Sequence, residues 1–294
     1  MRRILTSLCI IACFFVLPER AEGQSRGSGA QGSAADAAGA LSNMNSAINS
    51  AEAELTPVDA YYLGRAVAAN ILAAYRPYTR NTELTQYANR ICQTLAINSS
   101  QPAAYNGYHV VILDSAEFNA FATSGGHIFI TRGLVGALSS EDMLAAVIAH
   151  ELAHITLKHS VEIINEVRFT DEMMAAADRA ANIAARNSVN AGQLLYFRES
   201  ITKTIDTLMK NGYSQAQEFN ADWEAVVLLA YAGYDPAALI EVLKVLQKVQ
   251  SSQKGGLYST HPSPRERIAN LEKLRYRATD TGKYRTQRYK SVPF

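Results

Sequence analysis

The sequence predicts an α+β fold, mainly helical, in which a small β-sheet with a hairpin precedes a strongly apolar helix. Three observations predict it. Alternating and β-branched residues concentrate in one stretch, residues 108–131. Apolar residues at helical spacing flank that stretch on both sides. Helix start and stop signals recur along the remainder. The 294 residues are 48% apolar and 19% charged, which fits a soluble globular chain able to bury a sizeable core.

In chain order, "MRR" followed by the apolar run "ILTSLCIIACFFVL" reads as a signal peptide, residues 1–23, with Ala21 and Gly23 before a cut at Gln24. The run is too short to span a bilayer comfortably, and no other segment is long and apolar enough. Loss of the leader removes Arg2, Arg3, Arg20, Glu19 and Glu22 and brings the net charge to zero. A neutral chain without a basic face is not expected to bind nucleic acid. Cys9 and Cys13 leave with the leader, so Cys92 remains alone and no internal disulfide forms.

Residues 24–50, rich in Gly, Ser, Ala and Asn, read as a flexible N-terminus. Residues 51–275 form the expected domain, and 276–294 a basic C-terminal tail. Within the domain, Thr56 caps a helix that has Pro57 in its first turn, and a second helix covers 81–97. "YHVVIL" is a strand, and "NAFAT" and "HIFIT" flank "SGG" as a hairpin. Ser139, with Asp142 three residues on, is the expected cap of the next helix. Leu144, Val147, Ile148, Leu152 and Ile155 then recur at helical spacing. Residues 160–212 are polar and Ala-rich, helical in pieces and without a functional signal. A helix over 214–231 ends at Gly233, Asp235 and Pro236 open another, and "HPSPRERIANLEKL" starts a last one.

The chemistry concentrates in "AHELAHITLKHS", residues 149–160. His150 and His154 are four apart on a helix, about 40° round its axis, so both imidazoles reach one ion. Glu151 sits about 100° from His150, placed to touch a metal-activated water without ligating the metal. This His-Glu-x-x-His pattern implies zinc, one ion per chain, with Glu151 as general base. His159 lies about 180° from His150 and faces away if the helix continues. The alternative is a bend that brings it back. The metzincin pattern would put glycine at 157 and histidine at 160, where this chain has Leu157 and Ser160. His159 therefore reads as a structural or polar-surface residue. A third ligand is expected from "AQEFNADWEAV": Glu218 ligates, and Asp222, on the same helical face, accepts the N–H of a ligand histidine.

"HELAH", "EFNAD" and "STHPSPRERI", with "NAFATSGGHIFITRGL" before them, resemble the gluzincin zinc metallopeptidases of the BepA, HtpX, OMA-type and type-one CAAX prenyl protease family. The resemblance covers about residues 56–275 through four ordered motifs, and is nearest a soluble periplasmic BepA- or LoiP-like member without a repeat domain. It implies a zincin-like metallopeptidase domain with zinc on His150, His154 and Glu218 and Glu151 as base. It also points to His261 and Arg267 as donors to the oxyanion. A second reading puts His261 in the fourth zinc position, holding the enzyme latent.

An edge strand beside the zinc would pair with an extended peptide through its main chain. This makes Asn119, Ala120, Phe121, Ala122, His127, Ile128 and Phe129 candidate substrate contacts. The expected function is an exported zinc endopeptidase, periplasmic or else secreted. Its expected partners are polypeptides, unfolded or outer-membrane proteins, with a peripheral membrane association allowed. The alternatives are a chaperone-like binder with little proteolysis and a structural zinc protein. Glu151 beside the clamp and the missing fourth Cys or His ligand argue against the last.

Overall fold

A computed structural model describes residues 56–104, 107–168, 199, 202–203, 205–207, 212–250, 261, 263–274 and 282–292. The expected signal peptide, the N-terminal segment 24–50 and most of 169–211 lie outside the described residues. No helix among the described residues is long and apolar enough to cross a membrane.

Helices α1 (Pro57–Ala74) and α2 (Thr82–Ala96) open the fold. Asn81 caps α2, its side chain accepting from the Leu84 N–H. Three short strands follow, β1 (His109–Leu113), β2 (Ala120–Thr123) and β3 (His127–Thr131). The hairpin turns at Gly126, whose φ of 82 suits glycine. Its Phe121 faces Phe129 in an antiparallel register. The sheet order is β1-β3-β2, with β1 parallel to β3 and Val111 opposite Phe129. Strand β3 is therefore the middle strand, with both its edges already hydrogen-bonded. This corrects the expectation that His127, Ile128 and Phe129 offer an open edge: only β2, of the two hairpin strands, is an edge strand.

One face of the sheet packs Val110, Ile112, Ala120, Ala122, Ile128 and Ile130 into the main core with α2 and the helix that carries His150. The other packs Leu113, Phe121 and Phe129 under Leu63, Val67 and Ile71 of α1. Alternation with period two thus gives the small sheet two buried faces.

After α3 (Arg132–Ala137) comes α4 (Glu141–Thr156), all sixteen of whose residues are buried. The cap is Ser140, not Ser139: the Ser140 hydroxyl accepts from Met143 N at 3.2 Å, while Ser139 turns to the Met143 sulfur. Asp142 does not close a capping box. It accepts from Asp235 N at 2.9 Å and pairs with Arg285. Helix α4 stops at Leu157, Lys158 takes a left-handed φ of 61, and α5 (His159–Arg168) starts in a new direction.

The remaining helices are α6 (Gln215–Tyr231), α7 (Ala238–Gln250), α8 (Pro264–Leu271) and α9 (Gly282–Lys290). Gly233, at φ 78, follows α6 as expected. Helix α7 begins at Ala238, just after a turn in which Asp235 accepts from Ala237 N at 3.0 Å. Helix α8 is not the last: the basic tail contains α9, which docks on the start of α4. Arg285 donates to Asp142 at 2.8 Å and Arg288 to Glu141 at 2.6 Å. Tyr87 and Tyr234 also donate to Glu141.

Candidate metal centre

Three elements converge on the polar heart of this core. Helix α4 supplies His150, Glu151 and His154. Helix α6 supplies Glu218 and Asp222, α8 supplies Arg267, and His261 lies three residues before α8. The start of α6 is set by a reciprocal cap: Gln217 N donates to Ser214 Oγ at 3.3 Å, and Ser214 N to Gln217 Oε1 at 2.9 Å. Glu218 then falls in the first turn and Asp222 one turn on, both against α4 and both buried.

The Nε2 atoms of His150 and His154 are 3.1 Å apart. Each is 3.4 Å from an oxygen of Glu218. A tetrahedral zinc with bonds of about 2.0–2.1 Å requires its ligand atoms to be about 3.3 Å apart. The two histidines and the glutamate therefore fit zinc in donor chemistry and in spacing. His261 joins them: the four residues offer ligand atoms that all lie within 4.8 Å of one another. His261 Nδ1 is 2.5 Å from Glu218 Oε1, and its Nε2 is 3.9 Å from Glu151. Glu151 Oε2 and His261 Nε2 are buried without a hydrogen-bond partner among the described residues. Such orphaned atoms are expected where a metal and its water complete the site.

A ring of supports surrounds the donors. His150 Nδ1 is 3.1 Å from Asp222 Oδ1. Arg267 reaches Asp222 through Nε at 2.8 Å and through one terminal nitrogen at 2.6 Å, and Glu218 through the other at 2.7 Å. Its fork thus holds both carboxylates, and the nitrogen nearest Asp222 also lies 3.3 Å from His150 Nδ1, so Arg267 is placed to orient Glu218 and Asp222. His159 is not a surface residue, because the bend at Lys158 returns it to the site. It is buried, with Nδ1 2.9 Å from His154 Nδ1. Tyr213, just before α6, stacks on the His154 ring with centroids 3.8 Å apart.

The charges are balanced by contact. Burial drives the Glu151 carboxyl above its ordinary range, against the pull of His261 and His150. That suits a group that must take up a proton and release it. Burial also holds His154 well below its usual value, hence neutral, as a ligand must be. Burial and the Arg267 charge push His150 down, but its hydrogen bonds to Asp222 and Glu218 outweigh them and raise it to about 9. Glu218 stays well below the carboxylate range despite its burial, because His261 and Arg267 face it.

Of the hairpin residues, Ala120 lines the pocket beside His150 and Glu151, together with Leu134, Val147 and Leu243. Asn119 and Ala122 are buried, and His127 is half-buried beside Thr123. Phe121, Ile128 and Phe129 are core. Tyr213 escaped the sequence reading, since it carries no spacing signal. For His159 the structure takes the bend that the sequence left as the alternative, because the helix ends at Leu157.

The pattern of peptidase family M48 matches residues 79–275. The chain belongs to this family. Among M48 relatives, it is 26% identical over 198 residues to the beta-barrel assembly-enhancing protease of Escherichia coli K12, covering 66% of this chain and 39% of that protein. It is 29% identical over 204 residues to the mitochondrial metalloendopeptidase OMA1 of Schizosaccharomyces pombe, covering 69% and 54%. It is 28% identical over 192 residues to the metalloprotease LoiP of Escherichia coli, covering 65% and 70%. The chain spans about two fifths of the first relative's length. The family is a zinc-dependent one, and the buried His150, His154, Glu218 and His261 cluster is able to hold such an ion.

Proposed function

We propose that this M48 chain is an exported zinc-dependent endopeptidase that cleaves unfolded or misassembled envelope proteins, with Glu151 as general base. The observation that carries the reading is the convergence of His150 Nε2, His154 Nε2 and the Glu218 carboxylate at zinc spacing, with the buried Glu151 beside them. Zinc, when bound there, acts as a Lewis acid on the scissile carbonyl and acidifies water. Glu151 takes the attacking water's proton and hands it to the leaving amide nitrogen. Burial, which holds its carboxyl above the ordinary range, favours the uptake step. Asp222 and Arg267 keep His150 and Glu218 oriented through the cycle.

His261 fits the latent arrangement. Its imidazole, clustered with His150, His154 and Glu218, would compete with water and substrate for the metal. In this reading it swings out to admit substrate and then faces the reacting carbonyl. His261→Ala should raise basal cleavage if latency dominates, and lower it if the donor role does.

Strand β2, as the hairpin's edge strand, is the surface proposed to receive an extended peptide, with Ala120 nearest the chemistry. An unfolded client supplies such a strand. The name of the beta-barrel assembly-enhancing protease and the leader-like residues 1–23 support an envelope substrate and a periplasmic location.

The deciding experiment measures zinc content and digestion of casein by the wild type and by Glu151→Gln. The expected result is one zinc in each and a loss of cleavage of about 10²–10⁴-fold in the variant. Zinc retained with no cleavage by the wild type would favour the chaperone-like binder.

A further inference from the structure

The two ligand histidines are backed by different groups. Behind His150 stands a carboxylate, Asp222, at 3.1 Å. Behind His154, no carboxylate meets Nδ1 among the described residues. Its Nδ1 faces His159 Nδ1 at 2.9 Å, and its ring lies at 16° to that of Tyr213. All three rings are buried. His154 turns Nε2 toward His150 and Glu218, so Nε2 must present its lone pair to zinc and Nδ1 must carry the ring hydrogen. That N–H can point only at His159 Nδ1, which accepts it. His159 then carries its own hydrogen on Nε2.

We propose that His159 is a positioning residue for the zinc: its Nδ1 lone pair selects the His154 tautomer that offers Nε2 to the metal, while Tyr213 fixes the plane of the ring. The proposal rests on the zinc centre above and deepens it. It also gives the left-handed Lys158 a role, since the bend there brings His159 behind His154, a ligand five residues upstream of His159. Metal-bound histidines depend on such outer partners, whose loss costs about 10–100-fold in affinity.

The test is zinc affinity of the metal-stripped full chain, measured by chelator competition, for the wild type, His159→Asn and His159→Phe. Asparagine keeps an acceptor close to the position of Nδ1. Phenylalanine keeps a flat ring against Tyr213 and removes the acceptor. The expected result is an affinity within about 3-fold of wild type for His159→Asn and a loss of about 10–100-fold for His159→Phe. The cobalt-loaded absorption spectrum should shift in His159→Phe alone. A purely structural residue would give the reverse order, with the ring-preserving variant binding normally, and that result would overturn the proposal. Should His159→Phe fail to melt cooperatively, His159→Asn decides by itself: a loss beyond 10-fold refutes the acceptor role. A wild type that binds no zinc would overturn the metalloprotease reading as well, which separates the two failures.

Discussion

The Nδ1 of His150 lies 3.1 Å from Asp222 Oδ1, and the same carboxylate accepts two hydrogen bonds from Arg267. Asp222 therefore spans a metal ligand and a buried guanidinium, and its charge serves both. It orients the imidazole and raises its basicity toward the ion, as outer carboxylates do at zinc sites. It also balances an Arg267 that has no access to solvent. Asp222→Ala should weaken zinc binding by about 10–100-fold, read by chelator competition, while Asp222→Asn should lose less because it still accepts a hydrogen bond. Equal affinity in wild type and Asp222→Ala would exclude this role.

Zinc uptake should release a proton. In the metal-free protein His150 titrates at about 9, above its ordinary 6.5, because Asp222 and Glu218 favour its charged form over the opposing effects of burial and Arg267. A histidine whose pKa rises on folding stabilises the fold while protonated. That contribution is complete below about 6.5 and is lost as the pH climbs through about 9. The metal-free Tm should therefore fall over this window, while zinc affinity rises because the ion displaces the same proton. Calorimetric zinc titration at pH 7.5, in buffers of different ionisation enthalpy, should report close to one proton released. Results independent of the buffer would contradict the assignment.

The reach of sequence reading follows from how local each feature is. His150, Glu151 and His154 share one helix, and Glu218 and Asp222 share another, so helical spacing alone brings each set onto one face. The return of His159 was hidden because the left-handed residue that ends α4 is Lys158 rather than glycine, which leaves no stop signal. The middle position of β3 was hidden too, since its parallel pairing with β1 joins segments that are not consecutive strands. Asp142 reads from the sequence as the capping-box partner of Ser139, and Glu141 carries no signal of its own. Their partners, Arg285 and Arg288, lay in a tail whose composition gave no reason to expect a docked helix.

Helix α9 should matter to stability rather than to chemistry. Arg285 neutralises Asp142 at the buried start of the zinc helix, and Arg288 reaches the buried Glu141 next to it. Removing one partner of a buried ion pair strands the other and costs about 3–5 kcal/mol. Arg285→Ala should lower the urea midpoint accordingly. Cleavage per folded molecule should be unchanged, since the centre lies more than two turns further along α4. A stable variant with reduced turnover would instead tie α9 to the active site.

Arg267 should be needed most when the metal is gone. Its nitrogens hold Glu218 at 2.7 Å and Asp222 at 2.6 and 2.8 Å, and all three side chains are buried. A lysine carries the same charge but presents a point rather than a fork, and cannot meet both carboxylates in this geometry. With zinc bound, the ion itself compensates Glu218, so the lost contact is partly replaced. Without zinc, a buried carboxylate is left under-compensated at a cost of several kcal/mol. Arg267→Lys should thus lower the Tm of the metal-free protein more than that of the zinc-loaded protein, in paired calorimetric scans. Equal losses in the two states would mean that Arg267 supports the packing of α8 rather than the charge of the ligand.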